Sequence, residues 1–186
     1  MKPGALLLTP GAGNDASHSS LVAIEEAVDV PVARVDFPYR REGRKAPDRP
    51  PKLIACIREE AEALVKRAKA DPASLVLGGR SMGGRMCSRA VAEGLPAAGL
   101  VLIAYPLHPP GKPEKLRVDH FGDLTVPCLF ICGTKDPFGT PDELEGHASA
   151  IPGPVTHHWV EGKRHDLRGA DEEIAATVTH WLARLT

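Results

Sequence analysis

The sequence predicts a single α/β domain in which a parallel sheet of about six strands is covered on both faces by helices. Three observations carry that prediction. Short apolar runs rich in Val, Leu and Ile recur along the chain, and most are continuously apolar, the pattern of strands buried on both faces. Segments of helical period separate these runs, so strand and helix alternate from end to end. Glycine and proline number 18 each in 186 residues, above the usual share of about 12%, which calls for many tight turns.

The strands fall at Ala5 to Thr9, Val32 to Phe37, Leu75 to Leu77, Leu100 to Ala104, Cys128 to Cys132 and Val155 to Val160. A first helix starts near Ser17. Pro38 to Lys52 then reads as a basic loop, with Arg40, Arg41, Arg44, Lys45, Arg49 and Lys52 against Glu42 and Asp48. Pro50 and Pro51 suit a helix start, and Leu53, Ile54, Ile57, Ala61, Leu64 and Val65 recur on one face of the helix that follows. Further helices start near Ser81 and Pro141. The last opens on Asp171, Glu172 and Glu173, which favour a helix N-terminus, and buries Ile174, Val178, Trp181, Leu182 and Leu185. Between Ala104 and Pro127 lie only 22 residues without apolar helical period, too little for a cap domain, so the site is expected to be open.

Composition narrows the function classes. Hydrophobic residues at 42% and charged ones at 25% exclude a disordered tail and a membrane protein. A net charge of −1 and a pI near 6.7 give no electrostatic case for nucleic acid or an anionic membrane as partner. Aromatic residues make up only 4%, too few for a base-stacking surface. Cys56, Cys87, Cys128 and Cys132 sit inside apolar stretches and read as reduced core thiols. The apolar run Ala5 to Leu8 is too short for a signal-peptide core or a membrane span, so a cytoplasmic, soluble protein is expected.

One motif carries chemistry. Gly79-Arg-Ser81-Met-Gly83 matches GxSxG, and composition alone predicts about 0.06 such matches in this chain. A strand leads into it and a helix leads out, the setting of a nucleophile elbow, where crowding demands glycine two positions before and after the serine. Such a serine needs a base and an orienting acid. Asp136 and His165 follow it in the order Ser, Asp, His, each just past the end of a strand, the edge where sites form in open parallel sheets. Asp119 and Asp123 are reserve candidates for the acid. The two oxyanion N–H groups are expected from Met82, after the nucleophile, and from Ala12 or Gly11 in the loop after the first strand.

Gly-Gly-Arg-Ser-Met-Gly-Gly-Arg, the Asp136 and His165 loops and the Pro10-Gly-Ala-Gly13 loop resemble the α/β-hydrolase superfamily. Three longer stretches narrow the resemblance: Phe37-Pro-Tyr-Arg through Gly43-Arg-Lys-Ala-Pro-Asp-Arg-Pro50, Tyr105 to Arg117, and Gly133 to Gly139. Together they look like the small, lidless hydrolases grouped with testis-expressed protein thirty and the KANSL3 domain, near dienelactone hydrolase. The resemblance implies an α/β-hydrolase fold lacking the first two strands of larger members. It carries the nucleophile onto Ser81, the acid onto Asp136 and the base onto His165. Pro10-Gly11 departs from the His-Gly of many members, which removes a side chain there but keeps backbone donation.

These residues point to a cofactor-free serine hydrolase, an esterase of small carboxylic esters or thioesters. The competing class is a catalytically weak or inactive scaffold on the same fold, which the resemblance keeps open because relatives include chromatin-complex subunits. His108, Tyr105 and Arg80 are the pocket candidates. A zinc site from Cys128, Cys132, His157 and His158 is rejected, since strand positions four apart lie about 13 Å from one another. A homodimer roofing the pocket through Trp181 or the Tyr105 to Arg117 loop is left open.

Overall fold

The computed structural model describes residues 2–185. Six parallel strands, β1 (Ala5–Thr9), β2 (Val32–Arg34), β3 (Leu75–Arg80), β4 (Gly99–Ile103), β5 (Cys128–Gly133) and β6 (Val155–Val160), form one sheet in the order β2-β1-β3-β4-β5-β6. The helices are α1 (Ser19–Ala27), α2 (Pro38–Arg41), α3 (Pro50–Ala68), α4 (Met82–Ala92), α5 (Pro141–Ala148) and α6 (Asp171–Leu182).

Strand side chains alternate between faces, so one sheet generates two cores. Leu7, Leu77, Leu102 and Phe130 pack on one face with α3, α4 and Leu144 of α5. Leu6, Leu8, Val76, Val101, Ile103, Leu129 and Ile131 pack on the other with α1 and α6. Every residue of β1, β3, β4 and β5 is buried, which is why these strands carry no polar alternation in the sequence. The edge strands β2 and β6 are only partly covered. Burial of the α3 stripe at Leu53, Ile54, Ile57, Ala61 and Leu64, and of the α6 stripe at Ile174, Val178, Trp181 and Leu182, follows the helical periods. All four cysteines are free and buried. Among the described residues no helix is long and apolar enough to cross a membrane.

Three expectations need correction. The second strand stops at Arg34: β1 ends one residue after the Leu8↔Arg34 pair, the last bond to it is Val35 N to Leu8 O at 2.9 Å, and Phe37 is buried against Tyr39 instead. The third strand runs on to Arg80, through glycines that read as a turn. They are glycines because a Cβ at Gly78 would strike Val101 and one at Gly79 would strike Thr9. Pro38 to Lys52 is not one loop: Pro38 opens the single turn α2, and Pro50 to Lys52 are the first turn of α3. Its charge is also largely neutralised, since Arg40 faces Asp15, Arg41 faces Glu60, and Arg44 and Lys52 share Glu42 and Asp48.

No cap domain interrupts the sheet. The segment from Ala104 to Pro127 contains only a 3₁₀ turn at Phe121–Asp123.

Candidate active site

Strand order creates the site. From β1 the chain moves outward to β2 and then returns to place β3 on the opposite side of β1, so the loops after β1 and β3 part at their C-terminal ends. Such a divergence leaves a crevice at that edge of a parallel sheet. Residues 10–13 form one lip, and Ser81 forms the other.

Ser81 sits between β3 and α4 with φ 47° and ψ −115°, a conformation that costs a non-glycine residue roughly 1–3 kcal/mol. Neighbouring bonds hold it there: its N–H donates to Ile103 O at 2.8 Å, and its carbonyl accepts from Arg85 N at 3.1 Å. The turn is tight enough that a Cβ at Gly79 would run into Thr9, and one at Gly83 into Thr9 and Pro10. Ser81 occupies the N-cap position of α4, yet its hydroxyl makes no cap bond. It is free to bond elsewhere.

His165 Nε2 lies 2.9 Å from Ser81 Oγ, and His165 Nδ1 lies 2.7 Å from Asp136 Oδ2. Asp136 is 3% exposed, and its other carboxylate oxygen accepts from Phe138 N at 2.8 Å. A carboxylate can only accept, so it fixes the proton of His165 on Nδ1 and leaves Nε2 as an acceptor facing the serine hydroxyl. The Phe138 ring stacks on the imidazole at 3.9 Å between centroids. The two loops that carry these residues are joined: Lys135 N donates to Lys163 O, Gly162 N donates to Thr134 Oγ1, and a Cβ at Gly133 would strike Lys163 O. Asp123 lies in the 3₁₀ turn before β5, and Asp119 pairs with Arg89; neither reaches His165.

A cavity of about 590 Å³ opens over Ser81. Gly11, Ala12, Met82, His165 and Arg80 line it, so the structure brings five of the residues singled out in the sequence to one wall or another. The Gly11 backbone lies close enough that a Cβ there would stand 3.6 Å from Ser81 Cβ. Met82 supplies the first N–H of α4, which has no partner inside the helix. His108 and Tyr105 do not line the cavity. Both are buried beside it: His108 Nδ1 bonds Pro109 O at 2.8 Å, and Tyr105 OH donates to Arg117 O at 2.7 Å. Trp181 lies away from this cavity, packed against Gly99 at the start of β4, the end of the strand opposite the Ser81 edge. Among the described residues no group of three His, Cys, Asp or Glu side chains could hold a metal ion.

A family model described as an alpha/beta hydrolase domain matches residues 2–184. The chain belongs to that family. Solved structures share the hydrolase fold over nearly the whole chain. A dienelactone hydrolase from Anabaena variabilis superposes with a TM-score of 0.80 at 16% identity, over 99% of this chain and 87% of that one. An alpha-beta serine hydrolase homologue from Coxiella burnetii gives 0.79 at 15%, over 98% and 89%. The type II thioesterase BorB from the borrelidin biosynthetic cluster gives 0.69 at 20%, over 97% and 93%.

On this hydrolase scaffold, several residues near the site escaped the sequence reading. Tyr39, buried on α2, donates to Ala12 O at 2.9 Å and so pins the lip formed by residues 10–13. Phe138 could have been noticed two residues after the acid, where an Asp side chain often bonds the backbone. Arg85 and Arg117 line the cavity. Arg85 was readable as the position one helical turn after Ser81; Arg117, brought in by a long linker, carried no signal.

Proposed function

We propose that the protein is a serine hydrolase that cleaves small carboxylic esters or thioesters through an acyl-enzyme. The observation that carries this reading is the unbroken hydrogen-bond chain from Asp136 through His165 to Ser81, opening onto an uncapped cavity. Ser81 Oγ attacks the acyl carbonyl while His165 Nε2 takes its proton. The N–H of Met82 and one from Gly11 or Ala12 receive the oxyanion. Collapse expels the alcohol or thiol, which leaves with the proton from His165. Water then attacks the acyl-enzyme, with His165 again as base, and releases the acid and free Ser81. Asp136 holds the imidazole in the required tautomer throughout. Every step uses side chains and backbone of this chain alone.

The named activities of the structural neighbours, a dienelactone hydrolase and a thioesterase, support ester and thioester chemistry on this scaffold. The motif likeness to small lidless hydrolases supports small substrates. Four buried free thiols fit a reducing, cytoplasmic setting. A panel of short and long acyl esters and thioesters, assayed with wild type and Ser81→Ala in parallel, tests the reading. Turnover favouring short chains and lost in Ser81→Ala is expected. Equal rates in the two proteins would refute it, and absence of turnover in both would favour the scaffold class.

A further inference from the structure

The lining of the cavity over Ser81 carries more cations than carboxylates. Arg80, Arg85 and Arg117 line it, with His18, against a single carboxylate, that of Asp166. Asp136 lies behind and is committed to His165. Several arginines elsewhere are paired, Arg34 with Glu25, Arg41 with Glu60, Arg44 with Glu42 and Asp48, Arg89 with Asp119, and most of those without a carboxylate partner are exposed, whereas the cavity arginines are at least half-buried. Arg85 and Arg117 make no side-chain hydrogen bond or ion pair among the described residues, although both are half-buried. Arg80 is 4% exposed and has no carboxylate partner; it reaches only Ser20 Oγ and the Asp166 carbonyl, and its Nε bonds nothing.

Arg85 is the more telling of the pair. Its Nε is sealed from solvent without a partner. Burial pulls its pKa down, and the neighbouring Arg117 and Arg89 charges add to that against the opposing pull of Tyr105 and Asp119. Two guanidinium groups kept close and partly dry are unfavourable unless an anion comes between them. Arg117 is also held in place, since its N–H donates to Leu107 O and its carbonyl accepts from the buried Tyr105 hydroxyl.

Distance from the nucleophile decides which anion fits. Arg85 lies in the first turn of α4, its N–H donating to Ser81 O at 3.1 Å, and both residues line the same cavity, so the guanidinium is a short acyl chain's length from the nucleophile. The phosphates of a pantetheinyl thioester sit a long arm away from the reacting carbonyl, beyond such a site. A carboxylate at the far end of a short acyl chain is within reach, and its two oxygens match the guanidinium fork.

We propose that the substrate is a monoester or monothioester of a short dicarboxylic acid, its free carboxylate about two to four carbons from the reacting carbonyl and held between Arg85 and Arg117. The proposal rests on the reading of Ser81 as the nucleophile, so its test separates binding from turnover. Ser81→Ala protein is titrated by ligand-observed NMR with monomethyl glutarate and with its uncharged amide isostere, methyl glutaramate. Binding at least tenfold tighter for the anion is expected, falling to less than threefold once Arg85→Gln or Arg117→Gln is added. With Ser81 intact, each arginine variant should lower the ratio of kcat/KM for the two methyl esters by a similar factor. Equal binding of anion and amide to Ser81→Ala protein would overturn the anion pocket, as would a loss in both variants that strikes the two esters alike. Selective anion binding without turnover of either ester would keep the pocket and remove the hydrolase reading. Arg117→Gln lies in the linker outside the core helices, so it decides the matter if Arg85→Gln does not fold.

Discussion

Ser81 and Ser88 stand about two turns apart on α4, and each has a histidine at hydrogen-bond distance whose second nitrogen faces an aspartate: His165 with Asp136, and His120 with Asp119. By residue type the two arrangements are the same. They differ in where the protons point and in what can reach the serine. Ser88 is fully buried inside the helix and donates its only proton to Arg85 O at 2.9 Å, so His120 Nε2–H must be the donor to Ser88 Oγ, 2.7 Å away. That tautomer leaves Nδ1 of His120 bare, without a hydrogen-bond partner and 3.6 Å from an Asp119 that bonds Arg89 instead. His165 has the opposite polarity. Its buried aspartate holds the Nδ1 proton at 2.7 Å and turns Nε2 into an acceptor for a serine that lines a cavity and has no competing bond. Proton direction and access separate the sites.

The largest expected effect follows from that contrast. Ser81→Ala should lower kcat by about 10⁴-fold or more, as loss of a nucleophile does elsewhere, whereas Ser88→Ala should leave kcat within about threefold and instead lower stability by about 1–3 kcal/mol, because the buried His120 N–H loses its acceptor. Steady-state assays and chemical denaturation of the two variants check both halves. If Ser88→Ala were the inactive one, the assignment would be reversed.

Asp136→Asn should come next, with kcat down by about 10³- to 10⁴-fold through the wrong imidazole tautomer and the fold intact by circular dichroism. Asp119→Asn and Asp123→Asn should stay near wild type. An active Asp136→Asn beside an inactive Asp123→Asn would move the acid to the reserve position.

Phe138→Ala should cost about tenfold in kcat, since the ring that stacks on His165 is lost while both hydrogen bonds of the imidazole can still form. Rescue by Phe138→Leu would point to packing, and lack of rescue to the aromatic face.

The smallest effect is a pH dependence of stability from the second arrangement. Burial is the main cause that holds the His120 pKa below its ordinary 6.5, and His18 and His157 are lowered for the same reason. The unfolded chain therefore takes up these protons first as pH falls, so stability is full above about pH 6.5 and declines below it. His120→Gln should flatten part of that decline in thermal melts between pH 7 and 5. An unchanged slope would show that His120 contributes nothing to it.

The fold was legible because buried parallel strands are apolar throughout and need no neighbours to be read. The elbow was legible because the GxSxG spacing is rare by composition and sits between a strand and a helix, although the residues that press on its glycines, Thr9 and Pro10, are distant in the chain. What failed depended on partners far away in the chain. Gly78 and Gly79 read as a turn, since nothing in the sequence says that Val101 and Thr9 press on them. Arg40 to Lys52 read as uncompensated charge, since Asp15 and Glu60 come from other elements. Tyr105 and His108 were placed in the pocket by their position after β4, but that loop turns their side chains into the protein and presents Arg117 instead. Pocket walls are assembled across loops, and loops have no period to read.

The central claim is that one serine of the two is an activated nucleophile. Incubation with a fluorophosphonate probe at neutral pH, followed by intact mass measurement and peptide mapping, tests it most directly. The account predicts a single adduct on Ser81, present in Ser88→Ala and absent in Ser81→Ala. An adduct that persists in Ser81→Ala, or a wild-type protein that remains unlabelled while properly folded, would contradict it.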